Sequence, residues 1–189
     1  LGDVYKRQGD DLHTLLNVDV SVDPRDRVRD VLREAGRRGS SFRLVVVPPA
    51  QHAQISQSLI THLGAVGIDL THEWFAQHEK SLKTDARSSK ISALKKVTAK
   101  KLDKLVSTMV SSRGAPGQTT VLYNTGILEF LGGLEQIRLL YTQVQGQAAG
   151  FWVVVIPGVI LNRAPLFNER TAVWHQPGLV LPLSEPLRA

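Results

Sequence analysis

The stretch T-T-V-L-Y-N-T-G-I-L-E-F-L-G-G, Thr119 to Gly133, decides the fold. A β-branched, apolar run stops at Asn124-Thr125-Gly126 and restarts with helical spacing, which reads as a strand running into a helix. Downstream, G-F-W-V-V-V-I-P, Gly150 to Pro157, is apolar at every position from Phe151 to Ile156. A strand apolar on both faces belongs inside a sheet covered on both sides, the habit of parallel sheets. Strand, helix, strand in this order is a crossover unit, right-handed in nearly all parallel sheets.

Two readings compete for the turn at Asn124. A phosphate loop needs several glycines before Lys-Ser/Thr, so that backbone N–H groups and an ammonium meet the phosphate oxygens. No lysine follows Gly126, and Gly132-Gly133 falls inside the helical region expected from Gly126 to Gln145. The turn is therefore read as a capped strand-to-helix joint, with Asn124 or Thr125 as N-cap. A dinucleotide fingerprint fails too, because no G-x-G-x-x-G opens a strand-to-helix turn. Position still favours the strand ends, since ligands of open parallel sheets gather where Pro48, Asn124 and Pro157 would cluster. A strand-end pocket would hold Asn124, Thr125 and Gly126 with Arg163. An enzyme built there requires Asn124 and Arg163 to face a common space.

Working outward, D-P-R-D-R-V-R-D-V-L-R-E-A-G begins a helix, with Asp23 as N-cap, Pro24 at the first position and Val28, Val31, Leu32 and Ala35 as one apolar stripe. F-R-L-V-V-V-P-P is a strand, apolar from Leu44 to Val47, that two prolines terminate. A helix comes next, from about Ala50 to Leu63, with Ala53, Leu59, Ile60 and Leu63 expected inside. Gly67 to Thr71 is expected as a short edge strand, and His72 to His78 as a short helix turning Trp74 and Phe75 inward. After Pro157 the texture is loop-like, with Thr171–Trp174 and Leu179–Leu181 expected to pair as a small edge hairpin.

The expected architecture is α/β: a mainly parallel sheet with helices on both faces and a C-terminal Pro-rich loop and hairpin segment. The domain spans residues 9–158, and residues 159–189 form an extension packed on it. Leu1 to Gln8 resembles translated sequencing-adapter sequence, so it is set aside as a non-native tail. The remainder of the chain is expected to be the C-terminal piece of a longer protein.

With no cysteine among 189 residues, neither a disulfide framework nor a thiolate metal site can form. His72 and His78 stand six apart, about 120° around a helix, where a zinc protease helix needs two His one turn apart. No G-x-S-x-G elbow and no paired carboxylates mark a catalytic centre. Catalytic, cofactor and metal sites are therefore not expected. The apolar runs are far shorter than the roughly 20 residues that span a bilayer, so no membrane segment and a cytoplasmic address are expected.

The net charge of +6 is localised. Glu79 to Arg113 carries eight Lys and two Arg against three acids, a segment charge of +7, while Leu1 to Ser40 is balanced at eight and eight. Lys90 to Ser112 projects as an amphipathic helix, with Ile91, Leu94, Leu102, Leu105 and Met109 on one side and Lys90, Lys96, Lys100, Lys101 and Lys104 on the other. Such a face serves solubility in the common case. It is also the footprint of a DNA-phosphate contact, although no aromatic residue interleaves for base stacking.

Three segments together, F-R-L-V-V-V-P-P, N-T-G-I-L-E-F-L-G-G-L-E-Q-I-R-L-L, and G-F-W-V-V-V-I-P-G with P-L-F-N-E-R-T-A-V-W after it, resemble the C-terminal region of the PglW-type serine/threonine kinases of BREX and phage-growth-limitation systems. The resemblance spans Arg43 to Leu187 through core and turn patterns, not catalytic signatures. In place of the family's proline-glycine pair this chain has Asn124-Thr125-Gly126, and its Lys-rich helix has no counterpart there. A sibling ATPase of the same systems is similar. The resemblance implies a non-catalytic module of a larger anti-phage defence protein, with kinase or nucleotide motifs upstream and with other domains or defence subunits as partners. The alternative from charge alone is a nucleic-acid-binding module.

Overall fold

The computed structural model describes residues 23–37, 42–85, 91–113, 115–147, 150–176 and 178–187. Helix α1 spans Pro24–Arg37. Asp23 caps it as its sequence suggests, its Oδ1 accepting the Arg25 N–H at 2.9 Å. The Arg25 guanidinium folds back onto the same carboxylate and reaches Glu185, both at 2.6 Å, which ties the helix start to the C-terminal segment. Val28, Leu32 and Ala35 are buried, but Val31 lies at the margin of the stripe and is exposed.

Strand β1, Phe42–Val47, ends at Pro48, and Pro49–Gln51 form one 3-10 turn before α2, His52–Leu63. That turn delays the helix and rotates it, so its buried residues are His52, Ile55, Ser56 and Leu59, not Ala53, which is exposed. Gly64 closes α2 in the left-handed conformation, its N–H reaching back to the last turn. Strand β2 is Val66–Asp69, and α3 starts at once, Leu70–Asp85. The short helix expected at His72 is thus longer and earlier; Trp74 points inward, while Phe75 faces solvent.

Helix α4 covers Ile91–Arg113 and β3 covers Thr119–Tyr123. The region expected as one helix is two, α5, Gly126–Phe130, and α6, Gln136–Gln147. Gly132 breaks it at φ 68°, with the Gly133 N–H returning to the Leu128 carbonyl. Strand β4, Phe151–Leu161, leads to β5, Ala164–Phe167, β6, Thr171–Ala172, and β7, Val180–Pro182.

The main sheet runs β2-β3-β4-β1-β7, all neighbours parallel. This is the α/β architecture expected, with β4 and β1 at its centre. One core packs α3, α4, α5 and α6 against Phe42, Leu44, Leu122, Trp152, Val154 and Ile156. The other packs α1 and α2 against Val45, Val47, Val121, Phe151, Val153 and Val155. Helices cover both faces, because alternate residues of the same strands are apolar toward each side.

The C-terminal hairpin differs from expectation. Leu179–Leu181 does not pair with Thr171–Trp174; β7 lies beside β1, with the Leu44 N–H donating to the Leu179 carbonyl at 2.9 Å and the Leu183 N–H to that of Val46 at 3.0 Å. Without β7 the inner strand β1 would present an unpaired edge, a larger loss than two short strands could offset by pairing with each other. Thr171–Ala172 pairs instead with β5, which forms an antiparallel ribbon with the last residues of β4.

Gly158 marks the place where β4 leaves the parallel sheet. It pairs with Phe167, and a Cβ there would stand 1.9 Å from the Leu166 carbonyl oxygen. Because that neighbour is backbone, Gly158→Ala should lower stability by about 2–4 kcal/mol in urea unfolding. Gly126→Ala, where a Cβ meets nothing within 4 Å, should stay within about 0.5 kcal/mol of wild type. Equal stability of the two variants would refute this account of the strand's exit.

Candidate functional site

In an open parallel sheet a crevice forms at the carboxyl ends of the strands where connections leave toward opposite faces. From β1 the chain passes to α2 on one face, while β3 leads to α5 and α6 on the other. The carboxyl ends of β1, β3 and β4 therefore frame a recess of about 400 Å³, lined by Pro49, His52, Thr71, Asn124, Gly126 and Pro157.

The joint after β3 is held from its flanks. Asn124 has φ 53°, a left-handed conformation that asparagine tolerates better than most residues. Its Nδ2 donates to Asp69 Oδ2 at 2.7 Å, and its carbonyl accepts the Thr71 hydroxyl at 2.7 Å. Thr125 is fully buried and gives its hydroxyl to the Val155 carbonyl at 2.8 Å. Neither side chain caps α5, contrary to the sequence expectation. Thr125 occupies the N-cap position with helical backbone angles, and its hydroxyl turns to the sheet.

Asp69 is the residue that sequence reasoning missed. Its Oδ1 accepts the His72 N–H at 2.9 Å, capping α3, while Oδ2 holds Asn124. One carboxylate thereby fixes both a helix start and a strained turn on the neighbouring strand. A cap signal was legible, Asp before L-T-H-E, but the partner 55 residues away was not.

His52 opens α2 and is 8% exposed, and its Nε2 has no hydrogen-bond partner. Burial lowers its pKa below the usual imidazole value, and the Val155 carbonyl and the Asp69 charge only partly oppose this. The ring is therefore neutral near pH 7. Pro48, Pro49 and this ring occupy the first connection of the sheet, where a phosphate-binding protein places glycines and a lysine.

Arg163 stands elsewhere. It lies exposed in the turn between β4 and β5, where Asn162 and Arg163 both have positive φ, 51° and 66°. Such angles at both central residues are those of a two-residue hairpin turn. Arg163 is not among the residues lining the recess, so Asn124, Thr71 and His52 meet there without it.

Of the lysines, Lys90 lies outside the described residues, and Lys96 lies in α4 with its side chain outside them. Lys100 and Lys104 are exposed and Lys101 is half-buried, opposite a buried face of Leu102, Leu105, Val106, Met109 and Val110. Asp103 interrupts this basic face and accepts the Gln136 side-chain amide, linking α4 to α6. Among the described residues no group of three or more His, Asp or Glu could hold a metal ion. No helix among them is long and apolar enough to cross a membrane.

Family models, curated proteins and solved structures were all compared with the chain, and none matches it.

Because the folded His52 resists protonation while the unfolded one titrates near 6.5, its neutral burial stabilises the protein above about pH 6.5 and is lost as pH falls below it. The urea midpoint should fall between about pH 7.5 and 5.5, and His52→Gln should flatten that slope. An identical slope in the variant would assign the pH dependence elsewhere.

Proposed function

We propose that the chain is a non-catalytic α/β module of a larger bacterial anti-phage defence protein, with an assembly or regulatory role. The observation that carries the non-catalytic part is the β1-to-α2 connection. A phosphoryl-transfer site needs a backbone cradle, a lysine and a metal-holding acid on neighbouring strand ends. Here the connection holds two prolines, which lack N–H donors, and a buried neutral histidine; the end of β3, across β4, holds Asn124 where an acid would be wanted. The defence context rests on the resemblance in F-R-L-V-V-V-P-P, the Asn124 joint and the Trp152 strand. Partners in this reading are other domains of the parent protein or companion defence subunits.

Calorimetric titration with magnesium ATP should give no saturable binding, and hydrolysis should not exceed the protein-free rate. Saturable binding in the micromolar range or turnover would overturn the non-catalytic reading. An upstream coding sequence lacking any kinase or ATPase domain would remove the defence parentage.

A second reading keeps the basic face, because Lys100 and Lys104 project from α4 into solvent on the side away from the core. It takes duplex DNA as partner through phosphate contacts alone. Binding should weaken steeply between about 50 and 200 mM salt and should be lost in Lys100→Glu/Lys104→Glu. Absence of binding even at low salt ends this reading.

A further inference from the structure

The side chains at the recess offer mainly hydrogen-bond acceptors. The Thr71 hydroxyl has spent its only proton on the Asn124 carbonyl, so toward a ligand it can only accept. Asn124 turns its amide nitrogen to Asp69, which leaves its side-chain oxygen as the group to offer. The buried His52 ring closes one side of the space, with its Nε2 withdrawn from the recess surface. Among the described residues no lysine or arginine lines the space, and the Asp69 carboxylate stands behind Asn124. That carboxylate is one hydrogen bond, 2.7 Å, from the Asn124 side chain that lines the recess. Pro49 and Pro157 supply flat apolar walls.

Side-chain acceptors, a carboxylate one hydrogen bond away and apolar walls favour a planar cation rich in N–H donors. We propose that this recess binds the guanidinium group, either of a small free guanidine or of an arginine side chain on a partner protein. Thr71 and the Asn124 oxygen accept its N–H groups, and Asp69 supplies the attraction. The volume of about 400 Å³ exceeds what one guanidinium with its aliphatic stem needs. The recess offers this chemistry whether or not the chain belongs to a defence protein.

The test is amide NMR of the full chain, titrated separately with agmatine, a blocked Gly-Arg-Gly peptide, the Gly-Lys-Gly counterpart and inorganic phosphate. Agmatine, the arginine peptide or both should shift the Thr71, Asn124 and Gly126 signals saturably, and which of them binds identifies the source. Two variants keep the fold. Asp69→Asn retains a good helix cap while removing the charge, and should weaken binding at least about tenfold. Gly126→Met, at a position where a Cβ meets nothing within 4 Å, should block the mouth and abolish it. Equal shifts from the lysine peptide, binding of phosphate at the same residues, unchanged affinity in Asp69→Asn, or no shift at about 20 mM ligand would each overturn the proposal.

Discussion

Strand β4 must be buried on both faces, and the rest of the structure depends on that constraint. Phe151 through Ile156 are all within 3% of complete burial, divided alternately between the two cores. Burying each such side chain contributes roughly 1.5–3 kcal/mol, but only if helices cover both sides and strands flank both edges. β1 and β3 supply the edges through six and four paired residues. With β1 thereby placed at the centre, its far edge had to be covered as well, and the C-terminal segment turns back as β7 to do it.

Two-sided coverage also creates the site. β1 and β3 flank β4, and their connections leave toward opposite faces, so their carboxyl ends part and leave a gap above β4. Polar groups are drawn to that gap because backbone there lacks ladder partners. Asp69, Thr71, Asn124 and Thr125 satisfy one another or the Val155 carbonyl, and the network positions Asn124 in an uncommon backbone conformation. His52 is the member left incomplete. On the β1 side of the recess two prolines stand where a phosphate loop offers N–H donors.

How much of this was legible depended on sequence distance. β1, β3 and β4 stood out because their apolar runs serve two cores at once, and α1 because Asp23-Pro24 announces a helix start locally. The break between α5 and α6 was hidden, since Gly132-Gly133 reads as the interior of one helix from Gly126 to Gln145, and only the structure shows Gly132 as a left-handed stop. The rotation of α2 depended on a 3-10 turn that Pro48-Pro49 permit but do not dictate. Asp69 with Asn124 and β7 with β1 join residues brought together only by the finished sheet, and no periodicity encodes such pairs. The recess was located by topology, its chemistry only by the hydrogen bonds, and Arg163 was included because nothing local separates a hairpin tip from a strand end.

If the doubly buried centre of the sheet carries the recess, the two should share one stability. Native-state hydrogen exchange measures this directly. Amides of Val153–Val155 and Val121–Tyr123 should exchange only through global unfolding, with one common free energy set by the whole domain. Exchange of the β3 end through local opening, well below the free energy of β4, would contradict this, because the recess would then rest on a mobile joint and not on the core of the sheet.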